Sequence, residues 1–140
     1  MPEKDYSHRD VLDKLGIKPG QAVIVVSDAY VDNGLRARIV ERVGRELAEA
    51  DEPADVVLAD VDDREDPVAV LTRWKARLQP AGGIWLLTRK RGHPGYVDQR
   101  ELIDAGRPAG LVDNKICSVS DTISAMRFVI RRIDRVMSKE

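Results

Sequence analysis

The sequence predicts an α/β domain: a mostly parallel sheet of about five strands, helices on both of its faces, and an antiparallel hairpin at the C-terminal end. Three observations carry this. Residues 22–26 (AVIVV), 54–61 (ADVVLADV) and 84–88 (IWLLT) are predominantly apolar runs, the pattern of strands buried on both faces of a parallel sheet. Amphipathic stretches of helical period separate these runs. The last apolar segment, 124–132, alternates Met126, Phe128 and Ile130 with Ala125, Arg127, Val129 and Arg131, which is strand periodicity.

In chain order, Ser7 is suited to cap a short helix that carries Val11, Leu12 and Leu15 and ends at Gly16. Lys18, Pro19 and Gly20 form a turn into the first strand. A polar loop, 27–33, leads to a helix expected over 34–50, where Leu35, Ile39, Val43 and Leu47 fall on one stripe at four-residue spacing. After the second strand, Asp66 and Pro67 suit the N-cap and first position of another helix, which turns Val70, Leu71, Trp74 and Leu78 inward. Pro80 with Gly82 and Gly83 is expected to stop it before the third strand. Loop 89–95 precedes a helix over 98–105, and strands at 115–120 and 124–132, turned at Asp121 and Thr122, close the fold. The order β-α-β-α-β-α implies right-handed crossovers. Strand 124–132 is expected to run antiparallel at the sheet's edge, available to pair with a second copy as a homodimer. The 140 residues read as one domain, with loose ends at 1–6 and 134–140.

Composition excludes several function classes. Hydrophobic residues make up 43% and charged residues 34%, so the chain can bury a core. The net charge of -1 supplies no global attraction to nucleic acid or an anionic membrane, and six aromatic residues are few for base stacking. No apolar run approaches the ~18 residues of a membrane span, and the polar N-terminus carries no signal-peptide core. Cys117 is the single cysteine, which excludes an internal disulfide and a cysteine zinc site and fits a reducing cytoplasm. It is read as an inert thiol in a core strand, and Trp74 and Trp85 as core packing.

The pieces KPGQAVIVV, ADVVLADV, LTRWKARLQPAGGIWLLT and AGLVDNKICSVSDTISAMRFVIRR, in this order, resemble the SAM-dependent methyltransferases. They are similar, respectively, to that family's entry into strand one, its central strand, its late helix with a Pro-Gly turn and strand, and its closing hairpin. The spacing of LGIKPGQ, GGIWLLTRKRGHPG and RFVIRR resembles a family of short bacterial domains of unknown function. The resemblance covers nearly the whole chain and implies a three-layer Rossmann-like sandwich of methyltransferase type. Two features depart from it. The methyltransferases follow strand one with a glycine-rich turn against the methyl donor, because a Cβ there obstructs the backbone's approach. Here the first glycine after strand one is Gly34, and residues 27–33 read SDAYVDN. Only Asp51, Glu52 and Pro53 separate the helix expected over 34–50 from the next strand, so the strand whose acid would hold the ribose hydroxyls has no room. The resemblance with these departures implies a shortened sheet without the SAM motif. No cofactor is expected. The chain also lacks GxGxxG and GxxxxGK[ST] phosphate loops, HExxH, and a recognisable nucleophile with its base.

In an open α/β sheet, ligands bind beyond the carboxyl ends of the strands. The candidates there are Asp28 from loop one, Asp60 from loop two, and Thr88, Arg89, Lys90 and His93 from loop three. Loop two also offers Asp62, Asp63 and Glu65. These acids fit a solvated turn beside a helix N-terminus; the alternative is a magnesium site from Asp28 with Asp60 or Asp62. A phosphoacceptor arrangement fails because Asp28 has no paired acid after strand one. The cations of TRKRGHPG could grip a phosphate or carboxylate, or balance the acidic loop. His93, held extended by Pro94, has no evident partner as a base. Two readings of function follow. One is a non-catalytic binding or interaction module; the other is a binder or enzyme for a small anionic ligand at the acid/base rim. Residual methyltransferase activity is a third. No resident metal, membrane or nucleic-acid partner is expected.

Overall fold

A computed structural model describes residues 10–26 and 29–137. The elements are α1 (Val11–Lys14), β1 (Val23–Val25), α2 (Asn33–Val43), β2 (Ala54–Asp60), α3 (Pro67–Lys75), β3 (Leu78–Arg89), α4 (Gln99–Gly106), β4 (Leu111–Ser118), β5 (Ile123–Ile130) and α5 (Arg132–Met137). Ser7, residues 1–6 and the last three residues of the tail lie outside the described residues.

The sheet has five strands in the order β1-β2-β3-β5-β4. β1, β2 and β3 run parallel, and β5 is antiparallel to both of its neighbours. Alternate residues of each central strand point to opposite layers. Val57, Ala59, Ile84 and Leu86 pack with Leu71 and Trp74 of α3 and Leu102 of α4. Val56, Leu58, Trp85 and Leu87 pack with Leu12 of α1 and Ile39 and Val43 of α2. Burial on both faces is why these runs lack the polar alternation of a half-exposed strand. The result is the expected α/β sandwich with a closing antiparallel strand.

The strand order corrects one expectation. The 124–132 segment is not at the edge: β5 lies inside the sheet, hydrogen-bonded to β3 on one side and β4 on the other. A hairpin fixes that β4 and β5 are neighbours, but which of them meets β3 depends on side chains from three elements. Phe128, Met126 and Ala125 are buried, whereas Val112 and Ile116 of β4 are 42% and 49% exposed. The strand with two apolar faces takes the interior place.

Several boundaries also differ; β4, expected over 115–120, starts at Leu111 and ends at Ser118. α2 ends at Val43, not at 50, because Gly44 adopts φ 78° as a left-handed C-cap. The following segment returns along β1, with the Ala48 N–H donating to the Val23 carbonyl at 2.8 Å. Leu47 therefore packs on the α1/α2 layer from a loop. β3 begins at Leu78 and includes Pro80, Gly82 and Gly83, which were expected as a helix stop outside the strand. Proline is tolerated because residues 79–81 are exposed and pairing with β2 is broken between Leu78 and Gly83. Gly82 marks a close approach: a Cβ there would lie 2.7 Å from the Asp55 carbonyl oxygen. Finally, part of the expected loose tail forms α5.

Asp10, rather than Ser7, caps α1. Its Oδ1 accepts the Leu12 N–H at 2.8 Å, and its Oδ2 meets Arg38 of α2 at 2.6 Å. The Leu12 N–H is the main influence holding the Asp10 carboxyl below the usual range, helped by Arg38 and Arg42 against partial burial. A carboxyl depressed in the folded state stabilises above its unfolded value and loses that contribution as pH falls through the folded value. Asp10→Ala should therefore cost about 0.5–2 kcal/mol at neutral pH. The penalty should begin to shrink as pH falls below the ordinary Asp value of about 3.9, as measured by urea unfolding at neutral and acid pH.

Candidate functional site

The carboxyl ends of β1, β2 and β3 are overhung by three loops, and loop three folds back across the other two. Gly95, at φ 90°, makes the crossing: a Cβ there would lie 3.5 Å from Asp62 Cβ and 3.7 Å from both Arg89 Cγ and Tyr30 Oη. Residues from all three loops thus meet at one point. Arg89 stacks its guanidinium over the Tyr30 ring, 4.7 Å from the centroid, and its Nη1 lies 3.5 Å from Thr122 Oγ1. Burial raises the Tyr30 hydroxyl above its usual range. Arg89 works against that, while Asp60 and Asp62 add to it.

Arg89 forms a partition between two cavities. One, of about 320 Å³, lies between loop three, the first turn of α4 and the outward strands. Thr88, Arg89, Lys90 and Arg91 line it together with Tyr96, Asp98, Ser124 and Ile116. The other, of about 510 Å³, opens on the far side of Arg89 among Tyr30, Asp32, Leu35, Val119 and Ile123.

Three candidates, Thr88, Arg89 and Lys90, come together on the first cavity. Thr88 is 5% exposed and pairs in register with Ser124. Lys90 donates from Nζ to Ser118 Oγ at 2.7 Å, and from its backbone N–H to the Thr122 carbonyl at 2.8 Å. Asp60 ends β2 near Tyr30, outside the lining of either cavity. His93 sits in the turn of loop three, its backbone N–H on the Lys90 carbonyl at 3.1 Å, and lines neither cavity. Asp28 lies outside the described residues. Among the described residues, no three His, Cys, Asp or Glu side chains gather as metal ligands.

The wall supplied by Ser124, Met126 and Ile116 was missing from the sequence reading. The alternating pattern found β5, but only its place beside β3 sets these side chains at the mouth. Arg91 and Tyr96 belong to the recognised loop; the turn brings them together, with the Arg91 guanidinium 5.7 Å from the Tyr96 ring centroid. Cys117 differs from the buried core thiol expected: it is half-buried on edge strand β4. Burial still pushes its thiol up, opposed by the Lys14 and Lys115 cations, which keeps it a weak nucleophile.

The sequence matches a family model described as "Protein of unknown function (DUF3052)" over residues 12–132. Uncharacterized proteins of Mycobacterium tuberculosis (strain H37Rv) and Mycobacterium bovis are each 36% identical over 120 residues, covering 83% of this chain and 75% of theirs. Among solved structures, CalO1, a methyltransferase in calicheamicin biosynthesis, aligns with a TM-score of 0.60 at 15% identity, over 86% of this chain and 52% of CalO1. This chain therefore spans about half the length of CalO1. A SAM dependent methyltransferase from Aquifex aeolicus aligns with a TM-score of 0.57 at 14% identity, over 86% of this chain and 88% of that one. At such identities the likeness is one of fold: the five-stranded sheet is that of a methyltransferase-like Rossmann domain. Among the described residues no helix is long and apolar enough to cross a membrane.

Proposed function

Because this chain belongs to the family described as "Protein of unknown function (DUF3052)", with a methyltransferase-like fold, we propose that it is a non-catalytic binding module for a small molecule bearing a phosphate or carboxylate. The observation that carries this reading is the charge of the loop-three cavity. Arg89, Lys90 and Arg91 all line it, and Asp98 is its one carboxylate. Asp98 is already engaged as the N-cap of α4, accepting the Arg100 N–H at 2.9 Å. Three cations in a concavity of this size favour an anionic group over water, through charge-assisted hydrogen bonds.

Two features support binding without methyl transfer. The loop after β1 has no glycine before Gly34. Among the described residues β1 is an edge strand, and the 44–53 return lies where a further strand would carry the ribose-holding acid. Self-association is the weaker version of the reading. A second copy would have to pair with β4, whose bulge between Asp113 and Lys115 and exposed lysine blunt that edge. The single cysteine supports a cytoplasmic location.

Isothermal titration calorimetry with inorganic phosphate, AMP, citrate and S-adenosylmethionine tests the proposal. Saturable binding of at least one of the three anions is expected, weakened about tenfold or more in Lys90→Ala/Arg91→Ala, since each lost charged hydrogen bond is worth ~1.5–3 kcal/mol. Anion binding indifferent to that double variant would refute the site. Saturable binding of S-adenosylmethionine would refute the loss of the donor.

A further inference from the structure

The strand register grades the chemistry of the loop-three cavity from its floor to its mouth. On the face of the sheet covered by α3 and α4, Leu86, Met126 and Ile116 lie side by side across β3, β5 and β4. Two residues nearer the mouth, Thr88, Ser124 and Ser118 form the next row across the same strands. Lys90 closes the top of that row, its Nζ donating to Ser118 Oγ at 2.7 Å. An apolar row, a hydroxyl row and a cation therefore follow one another, and Met126, Ile116, Thr88, Ser124 and Lys90 all line the cavity.

Two observations point from this gradient to a ligand. First, Thr88 is the one buried polar side chain among the described residues, at 5% exposure. Its hydroxyl has no hydrogen-bond partner among them. Buried hydroxyls are nearly always paired, because an unpaired one loses its hydration without return. The other members of the row are committed: Ser124 Oγ donates to the Cys117 carbonyl at 3.3 Å, and Ser118 Oγ donates to the Ser120 carbonyl at 3.1 Å while accepting from Lys90. Thr88 is left over, inside the cavity. Second, the deeper wall is apolar. Ile116, 49% exposed on edge strand β4, extends the buried Met126 outward, and Val97 and Leu102 face the same space from the α4 side. An anion held only by Arg89, Lys90 and Arg91 makes no use of that wall.

We propose that the ligand of this cavity is a phosphate or carboxylate carried on a compact apolar body, a ring or a short chain, and that the Thr88 hydroxyl is a specificity-determining contact to its anionic group. This rests on the anion-binding reading above and names its ligand class. The anionic group sits at the rim, where one of its oxygens accepts the Thr88 O–H beside the Lys90 ammonium. The body lies deeper, on Met126, Ile116, Val97 and Leu102, and its burial adds a hydrophobic contribution that a bare anion lacks. A volume of about 320 Å³ is at the small end for ligand cavities and suits such a molecule.

The test is calorimetry on the full chain with matched pairs: phenyl phosphate against inorganic phosphate, and hexanoate against acetate. Each pair keeps the anionic group and changes the body. Phenyl phosphate and hexanoate are expected to bind about tenfold or more tightly than their partners, at about fourfold per buried methylene. Thr88→Val keeps the shape and removes the hydroxyl. It should weaken phenyl phosphate about tenfold or more, while the urea midpoint of the ligand-free protein stays level or rises as an unpaired buried group is lost. A purely structural hydroxyl would give the opposite, lower stability with unchanged affinity. Ile116→Ser should remove most of the advantage of phenyl phosphate over inorganic phosphate. If phenyl phosphate and hexanoate bind no tighter than the bare anions, yet binding still weakens in Lys90→Ala/Arg91→Ala, the ligand class is overturned and the anion site stands. Unchanged affinity in Thr88→Val would overturn the role of Thr88. Absence of saturable binding by all four compounds would overturn the proposal together with the anion site it rests on.

Discussion

Trp85→Ala is expected to cost about 3–5 kcal/mol of folding stability, the range for deleting a large buried aromatic side chain. Trp85 is 1% exposed at the centre of β3, and its indole N–H satisfies the Leu15 carbonyl at 3.0 Å. Leu15 ends α1, so the substitution opens a cavity and removes the hydrogen bond that holds that helix end to the sheet. Trp85→Phe separates the two contributions. It refills most of the space but leaves a buried carbonyl unpaired, at about 1–3 kcal/mol. Urea unfolding followed by circular dichroism measures both. A loss under about 1 kcal/mol for the alanine variant would mean that the Trp85 layer is not packed as described. Small domains have only ~5–15 kcal/mol in total, so the variant should be conspicuously fragile.

Phe128→Ala should be comparably costly, about 3–5 kcal/mol, for a different reason. Phe128 is fully buried on the opposite face of the sheet, in the layer covered by α3 and α4. Gly106 at the end of α4 lets that helix approach: a Cβ there would lie 3.1 Å from Phe128 Cε2. The aromatic ring is thus a contact between α4 and β5, and α4 begins at the loop that lines the loop-three cavity proposed to take an anion. Loss of Phe128 should loosen that wall, so in variants that remain folded ligand affinity should fall along with stability. Trp85→Ala should spare affinity at the loop-three cavity, because its ring belongs to the other layer. Calorimetry on the two variants below their unfolding temperatures checks the contrast, and equal losses of affinity would contradict it.

Much of this fold is legible in the residues. The runs at 22–26, 54–61 and 84–88 are each close to a strand in the structure, and Asp66 with Pro67 opens α3 at the position their chemistry dictates. Local signals of this kind act through a few neighbouring residues, so a linear reading finds them. The glycine-free turn after β1 is likewise a property of the chain itself, whereas the three-residue link expected before β2 became the ten-residue 44–53 segment once α2 ended at Val43. So is the string of cations at 89–91, which identifies one wall of the candidate site.

What the residues alone could not decide is which elements become neighbours. Alternation along 124–132 says strand; it does not say interior. β5 is interior because Phe128 and Met126 bury on one face and Ala125 on the other, while β4 retains exposed Val112 and Ile116. That choice moves Ser124 and Met126 to the mouth of the loop-three cavity and sets Lys115 against Arg127. Gly83 reads as a helix stop in sequence, and only the strand beside it shows it as the seat of a guanidinium. By itself, the sequence determined the α/β class, the parallel strands and the loop that carries Arg89 and Lys90, since each is set by short-range periodicity and composition. Tertiary structure alone decided the strand order and the cavities, because these depend on which apolar faces find a partner, and that is settled between segments far apart in the chain.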